Sequence, residues 1–492
     1  MRSWGSRCLL ALTIVVLAAT LVIHVSPWVT KGFGHSADGY NGAMWSLGAR
    51  GAVEDPIGNR LGGIQPSGYR YANHPPLLVW TTAVTGGLTG ERPVALRAPA
   101  LLASLAALVL LAALLRDAGV GLGDVAGGLA VAGTSAMFLT SGAMLDTPVL
   151  SLPFGLAAVW AAQRAWQGRP PPGPVLMAAG LVAALAGWQS LLAAVLATAL
   201  TLLSPSVDGR RAGRVLGTGA LAGLAITLAW IAWVKGTLLG LGDQAAYRTS
   251  VDTGEWLSRQ ETFAGYLYGP ILLVVAAVGL VLALALRHQP TRATSDTPTH
   301  RTWEGVRPLA GLLAAVVVLY TVTFRQASAA HDYWTFWGVA LLAVAATALL
   351  HSVRHGARRL PRPAAVAIQS TAVVGVVVLA LSGAGHRSRS DQSIREGLGA
   401  LPVLAAAPRA SYPDQATIVV PGDEPILPWA DFVTGGRAAQ AASPADLARL
   451  PPDTMVFFVA TADPSPEIRA AAAAVEGGYV LMRAGDYQRI VG

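Results

Sequence analysis

Residues 8–28 read CLLALTIVVLAATLVIHVSPW, a single apolar run, and comparable runs return along most of the chain. A helix needs about 20 such residues to cross the hydrocarbon core of a bilayer. Lipid offers no hydrogen-bond partner to an open backbone, so runs of this length commit the chain to helices that satisfy their own peptide groups. Candidate spans lie near 8–28, 98–115, 123–142, 148–166, 214–234, 264–286, 308–324, 333–350 and 364–383. Charged residues make up only 13% of the chain, against roughly 25% in soluble domains. The chain therefore reads as a polytopic α-helical membrane protein. The stretch 174–204 is too long for one span, and Gly187-Trp188 at its middle is expected to break it into two short helices. The stretch 74–90 opens with Pro75-Pro76 and is too short to cross, so it is expected to lie on the surface or re-enter.

Arginine assigns the sides. Arg2, Arg7, Arg116, Arg164, Arg169, Arg210, Arg211, Arg214 and the basic stretches 287–307 and 354–362 fall in alternating loops. The positive-inside rule places all of them in the cytoplasm. About eleven crossings then follow, with the N-terminus cytoplasmic and the C-terminus outside the cell membrane. The apolar run after MRSWGSR is long for a secretory signal and no A-x-A site follows it, so it reads as an uncleaved anchor. The net charge of +8 is topological on this reading. No basic stripe interleaved with aromatics is present, so no nucleic-acid partner is expected. Cys8 is the single cysteine, which excludes an internal disulfide and a thiolate metal cluster.

From about His386 the pattern changes. Strands are expected at 417–421, 454–461 and 479–491, with helices in SPADLARL and SPEIRAAAAAVEGG, each opening on Ser before Pro. This predicts a small extracytoplasmic α/β domain over 386–492, after a transmembrane module over 1–385 whose first outer loop is 29–97. The tail carries no GxGxxG and no P-loop, so no chemistry is assigned to it.

With the sides assigned, polar residues collect outside: Asp38 and Tyr40, Asn73 and His74, Asp146, Trp188 and Gln189, Arg248, Arg325, and His331-Asp332-Tyr333-Trp334. Taken singly each has a plain reading. Asp146 before Thr147-Pro148 is a helix N-cap, and residues 331–334 are an interfacial aromatic belt.

Their order along the chain resembles the GT-C superfamily of integral-membrane glycosyltransferases, and within it the branch of protein O-mannosyltransferases and lipid A aminoarabinose transferases. The resemblance rests on Asp38 in SADGY after the first span, NHPPL at 73–77, ALRAPA at 95–100, MLDTP at 144–148 and HDYW at 331–334. It covers roughly the first 350 residues. It implies a polyprenyl-phosphate-linked sugar donor, a hydroxyl acceptor on a glycan, lipid or protein, and transfer of a hexosyl or pentosyl group on the outer face with inversion. Asp38 would be the general base. Asp146 would orient the acceptor or help hold a divalent metal, and no other cofactor is assigned. Arg248 and Arg325, with His74, would hold the leaving phosphate. Tyr40, Asn73, His331, Asp332 and Tyr333 would line the substrate, and membrane lipids would surround the whole. Two departures from the family pattern stand out. Asn73-His74-Pro75 replaces the Glu-Lys-Pro of aminoarabinose transferases, and SADGY holds one acid where O-mannosyltransferases hold Asp-Glu. A secondary transporter or flippase-like envelope protein without transferase activity is the rival reading.

Overall fold

The computed structural model describes residues 4–65, 68–285, 306–406, 418–421, 427–434, 438–441, 444–460, 463–476 and 478–491. The basic stretch 287–307, expected in the cytoplasm, falls largely outside them. Helices form where the apolar runs predicted them. Five are long and apolar enough to cross a bilayer: Arg7–Val29, Pro93–Asp117, Val207–Lys235, Gly338–Ala357 and Arg362–Ala405. Shorter apolar helices accompany them, among them Leu77–Thr89, Leu122–Gly133 and Arg307–Thr323. The chain is a multi-pass membrane protein.

Several expected spans are broken. Gly187, extended at φ 174°, separates Gly173–Ala186 from Trp188–Leu202 as its position foretold. The run 123–142 is two helices, Leu122–Gly133 and Ala136–Ser141, because Ser135 accepts from Phe138 N and starts a new cap. The run 264–286 turns by 105° between Thr253–Leu267 and Gly269–Ala285, where Gly269 takes the left-handed φ of +73°.

Packing divides the chain into two compact units. One comprises Met1–Val25, Ala72–Leu78 and Pro99–Ser388; the other comprises Ser26–Tyr71, Val79–Ala98 and Arg389–Gly492. Inside the first, helices approach through small residues, since apolar side chains gain little from each other in lipid and close backbone contact has to supply the attraction. Gly219 and Gly223, four apart on Val207–Lys235, face Gly173–Ala186 so closely that a Cβ would sit 2.1 Å from Met177 O and 2.4 Å from Leu181 O. One turn further on, Thr227 Oγ1 donates to Ala184 O at 3.4 Å.

The second unit holds a five-stranded sheet. Strands β1 (Ile418–Pro421), β2 (Ala438–Ala441), β3 (Met455–Val459), β4 (Ala474–Glu476) and β5 (Tyr479–Arg483) are ordered β2-β1-β3-β5-β4. The β2, β1 and β3 ladders are parallel, and β5 runs antiparallel to β3 and β4. The expected strand 479–491 ends at Arg483, and Ala484–Ile490 is helical. SPEIRAAAAAVEGG gives only the short helix Pro466–Ala471 before β4. The same unit contains the helix Ala37–Glu54, which SADGY opens. Ser36 caps it, its Oγ accepting from Gly39 N at 3.0 Å, and Asp38 stands in the first turn, where the helix dipole favours an acid.

The small-residue seam yields a direct test. Gly219→Leu or Gly223→Leu forces a side chain into backbone, and overpacking of this kind costs about 1–3 kcal/mol or more. Thermal unfolding in detergent should fall clearly for both and hardly at all for Gly375→Leu, whose Cβ meets nothing within 4 Å. Equal melting in all three would refute the seam.

Candidate active site

In the first unit, a cavity of about 230 Å³ is lined by Asn73, His74, Trp188, Gln244, Arg248, Tyr320, Phe324 and Trp334, among others. Its walls are aromatic. Trp334 lies against Tyr320 with ring centroids 5.3 Å apart and against His74 at 6.2 Å. The helix Arg307–Thr323 carries Tyr320, and the 3-10 turn Asp332–Thr335 carries Tyr333 and Trp334. Gln189 Nε2 donates to Trp334 O at 3.0 Å, and Trp188 Nε1 donates to Asn73 O at 3.0 Å. The first two residues of the helix Trp188–Leu202 thus hold two lining residues of the cavity, Asn73 and Trp334.

One cation lines this space and a second bonds to its wall. Arg248 ends the helix Leu239–Arg248 and places its guanidinium 5.6 Å over the Trp334 ring. Its Nη1 donates to Gln326 Oε1 at 3.1 Å. Lys235 ends the helix Val207–Lys235, and its Nζ donates to Asn73 Oδ1. Both partners are neutral amides, and among the described residues neither cation stands in a salt bridge. Lys235 was not anticipated from the sequence. The signal was present, for it is one of only two lysines in the chain and sits at the opposite helix end from Arg210, Arg211 and Arg214.

The titratable neighbours are held neutral. Burial, with Arg248, His331 and Lys235 nearby, lowers His74 to about 3. Burial and Arg248 lower His331 to about 4. Near neutral pH His74 is therefore a neutral hydrogen-bonding group beside the cavity, and it adds no fixed charge to the two cations. Asp146 caps Thr147–Trp166, and its Oδ1 accepts from Thr147 N at 2.5 Å. Burial raises its carboxyl to about 7, against the opposing hydrogen bonds of Thr147 and Tyr333 and the charge of Arg248. Among the described residues no three His, Cys, Asp or Glu side chains gather into a metal-holding group. Asp146 accepts from the Thr147 amide and hydroxyl and from Tyr333, with the Arg248 charge nearby, a set of donors and a cation that does not fit a divalent ion.

The remaining candidates are distributed. Arg325 donates to Thr253 Oγ1 at 2.5 Å and Thr249 O at 3.3 Å, which ties it to the start of the helix Thr253–Leu267. Asp332 accepts from Tyr266 OH at 2.6 Å. His331 stacks near Tyr333 and Trp334.

Asp38 and Tyr40 belong to the second unit. Asp38 is 1% exposed, and its Oδ2 accepts from Arg97 Nη2 at 2.8 Å. Among the described residues no group hydrogen-bonds its Oδ1. The Arg97 guanidinium lies 4.1 Å over Phe33 and 5.3 Å from Trp28, and also donates to Val29 O and Gly32 O. Burial and the neighbouring Tyr69 push the Tyr40 phenol up to about 12. In the sequence Arg97 stands out only as part of ALRAPA; its partnership with Asp38 spans 59 residues of sequence and no local pattern announces it.

A guanidinium and an ammonium without carboxylate partners, beside an aromatic cavity, suit an anion carried on an apolar chain. Asp146 should tune that affinity. Above about pH 7 it becomes an anion beside Arg248 and competes with the bound group. Affinity for a prenyl methyl phosphodiester, which keeps one charge throughout, should fall as pH rises from 6 to 8.5, and Asp146→Asn should abolish the fall. The same sign governs folding. The native state holds the Asp146 proton more tightly than the unfolded chain, so this group's contribution to stability declines between about pH 4 and 7. A pH-independent wild-type affinity would contradict the assignment.

No protein-family model matches the chain, and no curated protein matches it. Among solved structures, ArnT from Cupriavidus metallidurans in the apo state is similar over 96% of this chain and 97% of its own, at 13% identity and a TM-score of 0.59. ArnT bound to undecaprenyl phosphate gives the same values. The archaeal oligosaccharyltransferase AglB from Archaeoglobus fulgidus, in complex with an inhibitory peptide and a dolichol-phosphate, is similar at 13% identity and a TM-score of 0.48, over 90% of this chain and 65% of its own. The chain therefore has an ArnT-like fold, and the resemblance to GT-C membrane glycosyltransferases holds at the level of the fold.

Proposed function

We propose that the protein is an inverting glycosyltransferase that moves a hexosyl or pentosyl group from a polyprenyl-phosphate donor to a hydroxyl of an envelope glycan, lipid or protein. The observation that carries this reading is the pair Arg248, which lines an aromatic-walled cavity, and Lys235, which bonds to the lining Asn73, both cationic and both bonded to neutral amides. The likeness to ArnT, whose structure has been solved with undecaprenyl phosphate bound, supports the same ligand class. The reaction belongs to the outer face of the cell membrane, with the N-terminus cytoplasmic. Nucleotide sugars are cytoplasmic, so a transferase acting outside needs a donor already carried across on a lipid phosphate.

In this mechanism the acceptor oxygen attacks the anomeric carbon, and the bond from that carbon to the phosphate oxygen breaks. The electron pair leaves with the polyprenyl phosphate. Arg248 and Lys235 meet the charge that grows there, in a site with little competing water. His74 adds a neutral hydrogen bond. Asp38 takes the acceptor's proton; Arg97 tethers its Oδ2, and Oδ1 is the oxygen left to receive it. No step runs through a metal.

The test uses purified protein, a radiolabelled polyprenyl-phosphate sugar and an envelope extract. Label should pass to the extract. Asp38→Asn should cut turnover by about 10²–10⁴-fold, the usual range for a general base. Arg248→Gln and Lys235→Gln should each weaken donor binding by about 10–100-fold, as charged hydrogen bonds of roughly 1.5–3 kcal/mol require. Label that enters proteoliposomes without being transferred would overturn the enzyme reading in favour of a transporter.

A further inference from the structure

Within the second unit, residues 31–36 lead from the first helix to the Ser36 cap, two residues before Asp38. The C-terminal part of the chain grips this segment by its backbone. Trp429 Nε1 donates to Phe33 O at 2.5 Å, and His35 N donates to Gly397 O at 2.9 Å. Gly34 and Gly397 lie so close that a Cβ on Gly34 would come within 2.7 Å of the Gly397 carbonyl. The His35 ring sits 5.5 Å from Trp429 and 5.4 Å from Tyr479, with Nδ1 3.3 Å from the Tyr479 hydroxyl. Tyr479 opens β5, and Trp429 lies on the helix Leu427–Thr434.

The gripped segment leads to the carboxylate. Phe33 is fully buried, and its ring fills the space that a Cβ on Gly42 would occupy. The Arg97 guanidinium lies over the Phe33 ring at 4.1 Å, and Arg97 holds Asp38 Oδ2. The Gly32 carbonyl, one residue earlier, is a second acceptor for Arg97 at 3.5 Å. Displacement of Phe33 therefore moves the surface on which Arg97 rests, and Arg97 moves Asp38.

We propose that the C-terminal sheet is a positioning element for Asp38, acting from Trp429 and Tyr479 through Phe33 and Arg97. A cover that only shielded the loop would need buried area; here directional bonds to the loop's own peptide groups are added. The proposal rests on the reading of Asp38 as general base.

The experiment uses the full chain in the polyprenyl-phosphate sugar assay, with hydrogen exchange of the 31–36 peptide as a second readout. Trp429→Phe keeps an aromatic ring and deletes the N–H. It should raise exchange in 31–36 and lower kcat by about tenfold or more, as a small misplacement of a reacting group does, while donor KM stays within about twofold. Combined with Arg97→Lys, the kcat losses should be less than multiplicative, because both changes act on one chain of contacts. Tyr479→Phe, which removes a single hydroxyl, repeats the test in milder form if Trp429→Phe folds poorly. A wild-type kcat with raised loop exchange, or losses that multiply, would overturn the proposal. Asp38→Asn separates the two ideas: wild-type turnover there removes the base reading itself, whereas an inactive Asp38→Asn beside a fully active Trp429→Phe removes only the positioning role.

Discussion

A charge withdrawn from water must be matched, neutralised or used, and this chain does all three in different places. Asp38 and Arg97, each 1% exposed on the side chain, are matched to one another. Removing one partner of such a buried pair costs about 3–5 kcal/mol, because the other is left uncompensated. Asp124 is matched by the partly exposed Arg354 at 2.6 Å, which ties Leu122–Gly133 to Gly338–Ala357. Asp146 is neutralised, burial holding its proton up to about pH 7. Arg248 and Lys235 are neither matched nor neutralised. Their amide partners leave the charge available, and that distinguishes them from the cations that hold the helices together.

The aromatic walls of the cavity follow from the same constraint. Trp334, Tyr320 and Phe324 supply a low-dielectric lining in which a cation acts over a longer reach than in water. The Trp334 face also stabilises the Arg248 guanidinium directly. Gln326 binds Arg248 through Oε1 and Tyr247 through Nε2, so the cation is held in place without losing its charge. Such preorganisation favours a leaving group whose charge grows during the reaction.

The helices were largely legible from the sequence because lipid imposes a length and a composition on every crossing, but of the three breaks described only one was. Gly187 broke its helix pair where glycine beside a polar Trp-Gln-Ser said it would. Ser135 and Gly269 were harder to read, since a cap or a bend inside an apolar run leaves mean hydropathy unchanged. The tail's three expected strands appeared, the last only as far as Arg483, but β2 and β4 did not announce themselves. AAQA has little β-branched content, and AVE is three residues long. The cavity was visible only in part. Asn73, His74, Arg248 and the 331–334 segment were named from their outer-face position; of these, Asn73, His74, Arg248 and Trp334 line the cavity, while Asp332 accepts from Tyr266. Lys235 was overlooked because it closes a long span, and Arg97 because its partner is 59 residues away. Arg325 obeyed the same topological logic as Arg248, yet its guanidinium donates to Thr253 Oγ1 and Thr249 O; position on one face cannot tell an arginine bonded to a neighbouring loop from one at a cavity wall.

The most direct measurement is a cryo-electron microscopy structure of the protein saturated with undecaprenyl phosphate. The account predicts the phosphate within hydrogen-bond reach, about 3 Å, of both the Arg248 guanidinium and the Lys235 ammonium, with the prenyl chain leaving past Trp334. A headgroup bound elsewhere, with Arg248 still on Gln326 and Lys235 still on Asn73, would contradict it.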